Sequence, residues 1–297
     1  MAKENEDRLS KFKEDDSETP VWQDRLDYLC SVGDKEAATA LATSKYEDST
    51  LTTNRRLDAV FALFRISYFH GCNVKEMGKI INKAHELVDK GGDWRSRNKL
   101  KAYEAIYCLA VRDYSRAADL FIDCVSTFES YELVDFGTII QYCVLACALA
   151  LERHALQSAL RRQGAAVQAL RSRFPELREL VESLHECRYA DFMKSLAWVC
   201  YYFACALALE RHALQSALRR QGAAVQALRS RFPELRELVE TQICVDPVFR
   251  PHYQHYVREA RIKAYVQLLR AYRSLSLDNI ADTFGVTRDF VEEEISK

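Results

Sequence analysis

The stretch Asp34-Lys35-Glu36-Ala37-Ala38-Thr39-Ala40-Leu41 has two divergent echoes further along the chain, and their spacing decides the fold. It lies over Val74-Lys75-Glu76-Met77-Gly78-Lys79-Ile80-Ile81 and over Tyr114-Ser115-Arg116-Ala117-Ala118-Asp119-Leu120-Phe121, a period of 40 residues. Ala37/Ala38 and Ala117/Ala118, with Gly78 in register between them, are small enough to let one helix approach its neighbour closely. Upstream in each unit lies a second apolar helix, marked by Leu26, Tyr28 and Leu29, then Ile66, Tyr68 and Phe69, then Ile106, Cys108 and Leu109. Neither helix of such a pair can bury its apolar stripe alone, so the pairs are expected to stack as a tetratricopeptide-like solenoid. An ordinary helical bundle with chance register is the competing reading.

Composition points the same way. The 297 residues contain 9 glycines and 5 prolines, too few for a turn-rich strand protein, and no proline occurs between Pro20 and Pro175. A net charge of −1 gives no overall pull toward nucleic acid or anionic lipid. Met1 to Asp16 is rich in Lys, Glu and Asp and has no apolar core of a secretory signal. The longest uncharged apolar run, Leu196 to Leu209, is too short to span a bilayer. The ten cysteines include no C-x-x-C pair, and Cys30, Cys108, Cys124 and Cys143 read as small buried hydrophobes in a reducing compartment. The expected location is cytoplasm and nucleus.

A second repeat is of another nature. Ala146 to Glu182 recurs unchanged as Ala204 to Glu240, 37 identical residues, which indicates a recent duplication or an error of gene assembly. Two identical segments prefer the same packing slot, and a single solenoid path offers it once, so competition between the copies is expected.

Beyond the second copy, Asp246-Pro247 and Arg250-Pro251 mark a loop. A long amphipathic helix follows, from about His252 to Tyr272, with Val257, Ala264, Tyr265, Leu268, Leu269 and Tyr272 on one side. Ser276 and Thr287 then read as N-caps of two short helices joined at Gly285, the helix-turn-helix of a winged-helix core. Between Ser274 and Lys297 stand six acidic residues and two basic ones. Glu292-Glu293-Glu294 would be repelled by phosphates, so the motif reads as a protein-docking element rather than a DNA reader.

The remaining candidates for chemistry are weak. His252 and His255 are spaced to share a helix face, but two ligands do not make a metal site. His185-Glu186-Cys187 lacks the second histidine of a zinc-protease helix and any thiol-protease partner. Gly91-Gly92-Asp93-Trp94 lacks the spacing of a phosphate loop and reads as a helix C-cap followed by an Asp N-cap. Arg161, Arg162, Arg171 and Arg173 suit a solvated helix face or an acidic partner. No catalytic, metal or cofactor-binding residues are assigned, and no small-molecule substrate is expected.

Three stretches carry a family resemblance: Gly91 to Leu133 (GGDWRSRNKLKAYEAIYCLAVRDYSRAADLFIDCVSTFESYEL), Leu184 to Val199 and Pro251 to Val286. They resemble the PCI-domain family of the proteasome regulatory lid, at its non-ATPase regulatory subunit six. The resemblance implies an all-α chain: a helical-repeat solenoid followed by a PCI domain that ends in a winged helix. It implies a non-catalytic scaffold that docks beside other PCI-domain subunits of the lid and supports its assembly and ubiquitin-dependent degradation. The signalosome and translation initiation complexes, which use the same domain, are the alternative. On this reading residues 1–19 are a charged leader, 20–183 the helical repeats and 184–297 the PCI domain. Thr287, Arg288, Phe290, Val291 and Ile295 would supply protein contacts from the winged helix, residues 274–297. Three departures from the family pattern stand out. Cys200 to Val239, almost entirely the second copy, separates two segments that are continuous in the family, which makes the first copy native and the second an insertion. The wing strands and terminal helix expected after Lys297 are absent from this sequence, as is most of the family's helical region before Met1.

Overall fold

A computed structural model describes residues 21–71, 73–162, 173–209, 248–272 and 274–296. The described residues form helices and turns and contain no strand. The chain divides into two compact units, Met1–Tyr107 and Cys108–Lys297.

The first unit holds α1 (Val21–Val32), α2 (Lys35–Glu47), α3 (Thr53–Phe69), α4 (Val74–Asp89) and most of α5 (Trp94–Ala110). Leu26 and Leu29 of α1, Ala38 and Ala42 of α2, and Ala62, Leu63 and Ile66 of α3 close one core. A second centre forms around Tyr103, which lies 4.8 Å from Phe61 and 5.0 Å from Phe64 and accepts a hydrogen bond from Arg65 Nη1. Such tilted and edge-on ring pairs add about 0.5–1.5 kcal/mol beyond the area they bury. Gly78 allows the close approach expected of it, since a Cβ there would come within 2.8 Å of the Tyr107 hydroxyl. Asp93, after the turn at Gly91 and Gly92, caps α5 by accepting from the Ser96 N–H at 2.7 Å.

The repeat is real, and its register differs from the uniform period of 40. The second helix of each pair opens on a side-chain N-cap: Asp34 accepts from Ala37 N, Asn73 from Glu76 N, and Asp113 from Arg116 N. These caps lie 39 and then 40 residues apart. Ala38, Met77 and Ala117 are therefore the equivalent buried positions, followed one turn later by Ala42, Ile81 and Phe121. In the first helices of the pairs Leu26, Ile66 and Ile106 keep the 40-residue spacing, and Phe69 alone leaves the apolar stripe to which that spacing assigned it. Phe69 is 60% exposed, while Tyr68 takes the inward place at 2%. Cys30 is likewise exposed, because Leu26 and Leu29 occupy the inward face of α1 and Cys30 lies a further 100° round it.

The second unit holds the end of α5, α6 (Tyr114–Cys124) with a 3-10 turn at Val125–Thr127, α7 (Phe136–Ala150), α8 (Arg153–Arg162), α9 (Pro175–Glu186) and α10 (Tyr189–Leu209). A second 3-10 turn, Arg250–His252, leads into α11 (Tyr253–Leu269), α12 (Leu277–Phe284) and α13 (Arg288–Ile295). Eleven residues of α7 are buried, Gly137 through Ala148 with one gap, so this helix is covered on all sides. The first copy of the duplicated segment supplies the end of α7, then α8 and the start of α9, and buries Cys147, Leu156, Leu177, Leu180 and Val181. Of the second copy, Ala204–Leu209 continues α10, and the remainder lies outside the described residues, as does the charged leader.

α11 buries Tyr256, Ala260, Ala264 and Leu268, whereas Leu269 and Tyr272, read from sequence as part of its apolar side, face outward. The helix meets three others through polar atoms. The last carbonyls of an α-helix have no partner within it. Lys263 Nζ donates to the carbonyls of Ala148, Leu149 and Leu151, at 2.7, 3.0 and 2.5 Å, at the end of α7. Burial lowers the Lys263 pKa to about 8, so at neutral pH it is the ammonium that meets the negative end of the α7 dipole. One turn on, Gln267 Nε2 donates to the Leu184 carbonyl of α9 at 2.9 Å. One turn before Tyr256, His252 donates to the carbonyl of Ala110, the last residue of α5. Tyr256 itself donates to the Leu145 carbonyl at 3.1 Å.

Two substitutions test this description by urea unfolding. Tyr68→Ala is expected to cost about 3–5 kcal/mol and Phe69→Ala less than about 0.5 kcal/mol, whereas a strict 40-residue register, which puts both in the apolar stripe, requires both to be costly. Lys263→Met leaves three carbonyls without a donor and is expected to cost about 2–3 kcal/mol; a loss below about 0.5 kcal/mol would show that water replaces the ammonium.

Candidate protein interface

The helix-turn-helix is set by its caps. Ser276 accepts from Asn279 N, and Thr287 accepts from Phe290 N, so both hydroxyls are spent on holding helix starts. Gly285 ends α12 in the left-handed region at φ 63°, and a Cβ there would come within 3.3 Å of the Ala190 side chain. Glycine is needed both for the turn and for the approach to α10.

Phe284 anchors the pair of helices to the rest of the unit. Its ring lies 4.9 Å from Tyr189 of α10 and 4.6 Å from Tyr265 of α11. Burial raises the Tyr265 pKa, with the Glu294 carboxylate adding to the shift and Arg261 opposing it. Val291 is fully buried and Phe290 half-buried beneath the Arg261 guanidinium, whose carbon is 5.6 Å from the ring centre. Arg261 also pairs with Glu294 at 3.0 Å, with both side chains about one-fifth exposed, which ties α13 to α11.

The five residues expected to make protein contacts therefore divide. Val291 has no exposed surface and serves to seat α13 on the domain rather than to meet a partner. Thr287 shapes the start of α13, and Arg288 is exposed and pairs with Asp278 across the helix-turn-helix at 3.3 Å. Ile295, 62% exposed, is the one large apolar side chain of the five that stands open. Sequence reasoning missed the neighbouring outward face of α11, where Ile262, Val266 and Leu269 are exposed at spacings of four and three, with Tyr272 just beyond the helix. That spacing was visible in the sequence, but it was merged with the buried face because both sides of α11 are apolar. The Arg261–Glu294 ion pair ties α11, which carries Ile262, to α13, which carries Ile295.

No group of three or more His, Cys, Asp or Glu among the described residues could hold a metal ion. His255 lies beside Glu259 and stacks on Tyr114 with centroids 6.4 Å apart, while His252 faces Arg112. Among the described residues, no helix is long and apolar enough to cross a membrane.

Comparison with known proteins agrees with this architecture. The family described as 26S proteasome subunit RPN7 matches residues 2–159, and the PCI domain family matches residues 226–297. The chain is 30% identical to the 26S proteasome regulatory subunit rpn7 of Schizosaccharomyces pombe, an alignment covering 100% of this chain and 67% of that protein. It is 32% identical to the 26S proteasome non-ATPase regulatory subunit 6 of Oryza sativa subsp. japonica, over 91% of this chain and 58% of the relative. The protein of the same name from Caenorhabditis elegans is also 32% identical, over 92% and 58%. The chain thus spans between 58% and 67% of the length of these relatives. With a helical-repeat region and a PCI domain in the same order, it belongs to the family of 26S proteasome subunit RPN7.

Proposed function

We propose that this chain is a non-catalytic scaffold subunit of the proteasome regulatory lid, which supports lid assembly and ubiquitin-dependent degradation by holding other PCI-domain subunits in place. The observation that carries the reading is the match to the RPN7 family over residues 2–159 together with a PCI domain match over 226–297. The relatives' names place them in the 26S proteasome as regulatory subunits. Within this chain, the contact surface is the exposed apolar side of α11 with Ile295 of α13, framed by Arg288 and Phe290. The partner is another PCI-domain subunit of the lid. The acidic run on α13, Asp289 and Glu292 to Glu294, argues against nucleic acid as partner. Cytoplasm and nucleus, where the proteasome works, are the proposed locations.

Affinity purification of the full chain is expected to recover other lid subunits with PCI domains. The pair Leu269→Asp and Ile295→Asp, both at exposed positions, is expected to leave folding intact and to weaken that recovery by about tenfold or more, because it places charge in the apolar centre of the contact. Recovery of no lid subunit would contradict the proposal. Recovery of signalosome or translation initiation subunits in their place would move the chain to the alternative assembly.

A further inference from the structure

Among the described residues, two that are not glycine hold left-handed backbone: Arg112 at φ 65° and Cys187 at φ 61°. Both end a helix. The Arg112 N–H returns to the Leu109 carbonyl and the Asp113 N–H to Cys108, closing α5. The Arg188 N–H returns to the Ser183 carbonyl and closes α9 at Cys187. The corresponding turn after α1 uses Gly33, which takes this conformation without steric cost. An L-residue with a Cβ is disfavoured here, so a compensating role for its side chain is expected. In both cases the side chain reaches α11 or its entry turn. Gln267 Nε2 lies 3.3 Å from Cys187 Sγ, and Arg112 Nε donates to His252 Nδ1 at 2.9 Å.

The His252 contact differs from the others in one respect. Its Nδ1 lone pair accepts from Arg112, and its other ring nitrogen donates to the Ala110 carbonyl. Both ring positions are occupied in the neutral form. A second proton on Nδ1 would set an N–H against the N–H of a guanidinium, and a cation against a cation. Of the three donors with which α11 and its entry turn cap α5, α7 and α9, Lys263 stays protonated below about pH 8 and the Gln267 amide does not titrate. Only the His252 cap contains a group that changes charge between about pH 5 and 7.

We propose that Arg112 and His252 form an acid-released latch, closed while His252 is neutral, that joins the turn ending α5 to the base of α11. The groups facing His252 support this. From the α5–α6 turn comes Arg112; on α6, Tyr114 stacks against His255; on α11 itself lie His255 and, one turn on, Glu259. Arg112 and His255 both oppose a positive charge on His252. Glu259 is 3.8 Å from His255 and is not among the groups acting on His252. Of the described charged side chains of α10, Asp191 pairs with both Lys194 and Arg188 at the start of that helix. Burial, reinforced by Arg112 and His255 and opposed by the Ala110 carbonyl, holds the His252 pKa below its ordinary value of 6.5. A depressed histidine pKa means that the unfolded chain takes up the proton first. The latch therefore contributes its full stability above pH 6.5 and loses it as the pH falls through the lowered value.

A double-mutant cycle on the full chain tests this. Arg112→Met and His252→Met, alone and together, are compared by urea unfolding at about pH 7.5 and about pH 5.5. The expected result is a favourable coupling of about fivefold in the unfolding equilibrium at the higher pH, falling to none or reversing sign at the lower. Equal coupling at both values, or additivity at both, would overturn the latch. His252→Gln offers an acceptor and a donor but does not titrate, and it should keep its coupling to Arg112 at about pH 5.5. If the Met variants do not fold, nuclear magnetic resonance titration of the His252 ring in the unaltered chain decides the matter. A protonation midpoint below 6.5 supports the latch, and one at or above 6.5 refutes it.

Discussion

The second unit depends on a single face of α11 giving hydrogen-bond donors to the exposed ends of other helices. A helix that ends inside a domain leaves carbonyls without partners, and each one left dry costs about 1–3 kcal/mol. α5, α7 and α9 all end beside α11 or its entry turn, and His252, Lys263 and Gln267 meet their carbonyls. These residues, with Tyr256, recur at spacings of four, seven and four, so they form one stripe of the helix. Leu268 and the small residues Ala260 and Ala264 lie beside that stripe and supply apolar contact. Water would satisfy the same carbonyls at the surface. Here a lysine ammonium and an amide do so from within the unit.

This arrangement explains how the carboxyl-terminal helix-turn-helix acquires a defined position. α12 and α13 are only eight residues each, too short to be stable alone. Phe284 seats them between Tyr189 and Tyr265, and Arg261 fixes α13 through Glu294 and the face of Phe290. Since Tyr265 and Arg261 belong to α11, the helix that caps the repeat helices also orients the outward face carrying Ile262, Val266, Leu269 and Ile295. The scaffold role proposed for the chain would need this kind of coupling between a contact surface and the helices that bear it.

What the sequence disclosed, and what it hid, follows from the range of the interactions. Ser276, Thr287, Asp93 and Gly285 were readable because capping and left-handed turns depend on neighbours three to five residues away. The paired-helix repeat was readable from its small and apolar positions. The 39-residue spacing of the first two caps and the exposure of Phe69 were not readable, because one residue more or less between helices leaves no mark on the periodicity within them. The caps from α11 were not readable at all. Lys263 lies more than 110 residues from the carbonyls it meets, and on a helical wheel Lys263 and Gln267 resemble a solvated face. Arg112 carried no local sign of left-handed backbone, since its justification is the side-chain contact with His252. Of the five residues proposed for protein contact, Val291 is fully buried, which a reading of one short helix by itself does not disclose.

Native-state hydrogen exchange across the second unit, followed through increasing urea, tests most directly the claim that α11 organises it. If α11 holds the ends of its neighbours, the amides in the last turns of α7 and α9 and those of α11, α12 and α13 will converge on one opening free energy and exchange as a single cooperative unit. Exchange of α7 and α9 at free energies of their own while α11 stays protected, or separate opening of α12 and α13 with α11 intact, would contradict the account.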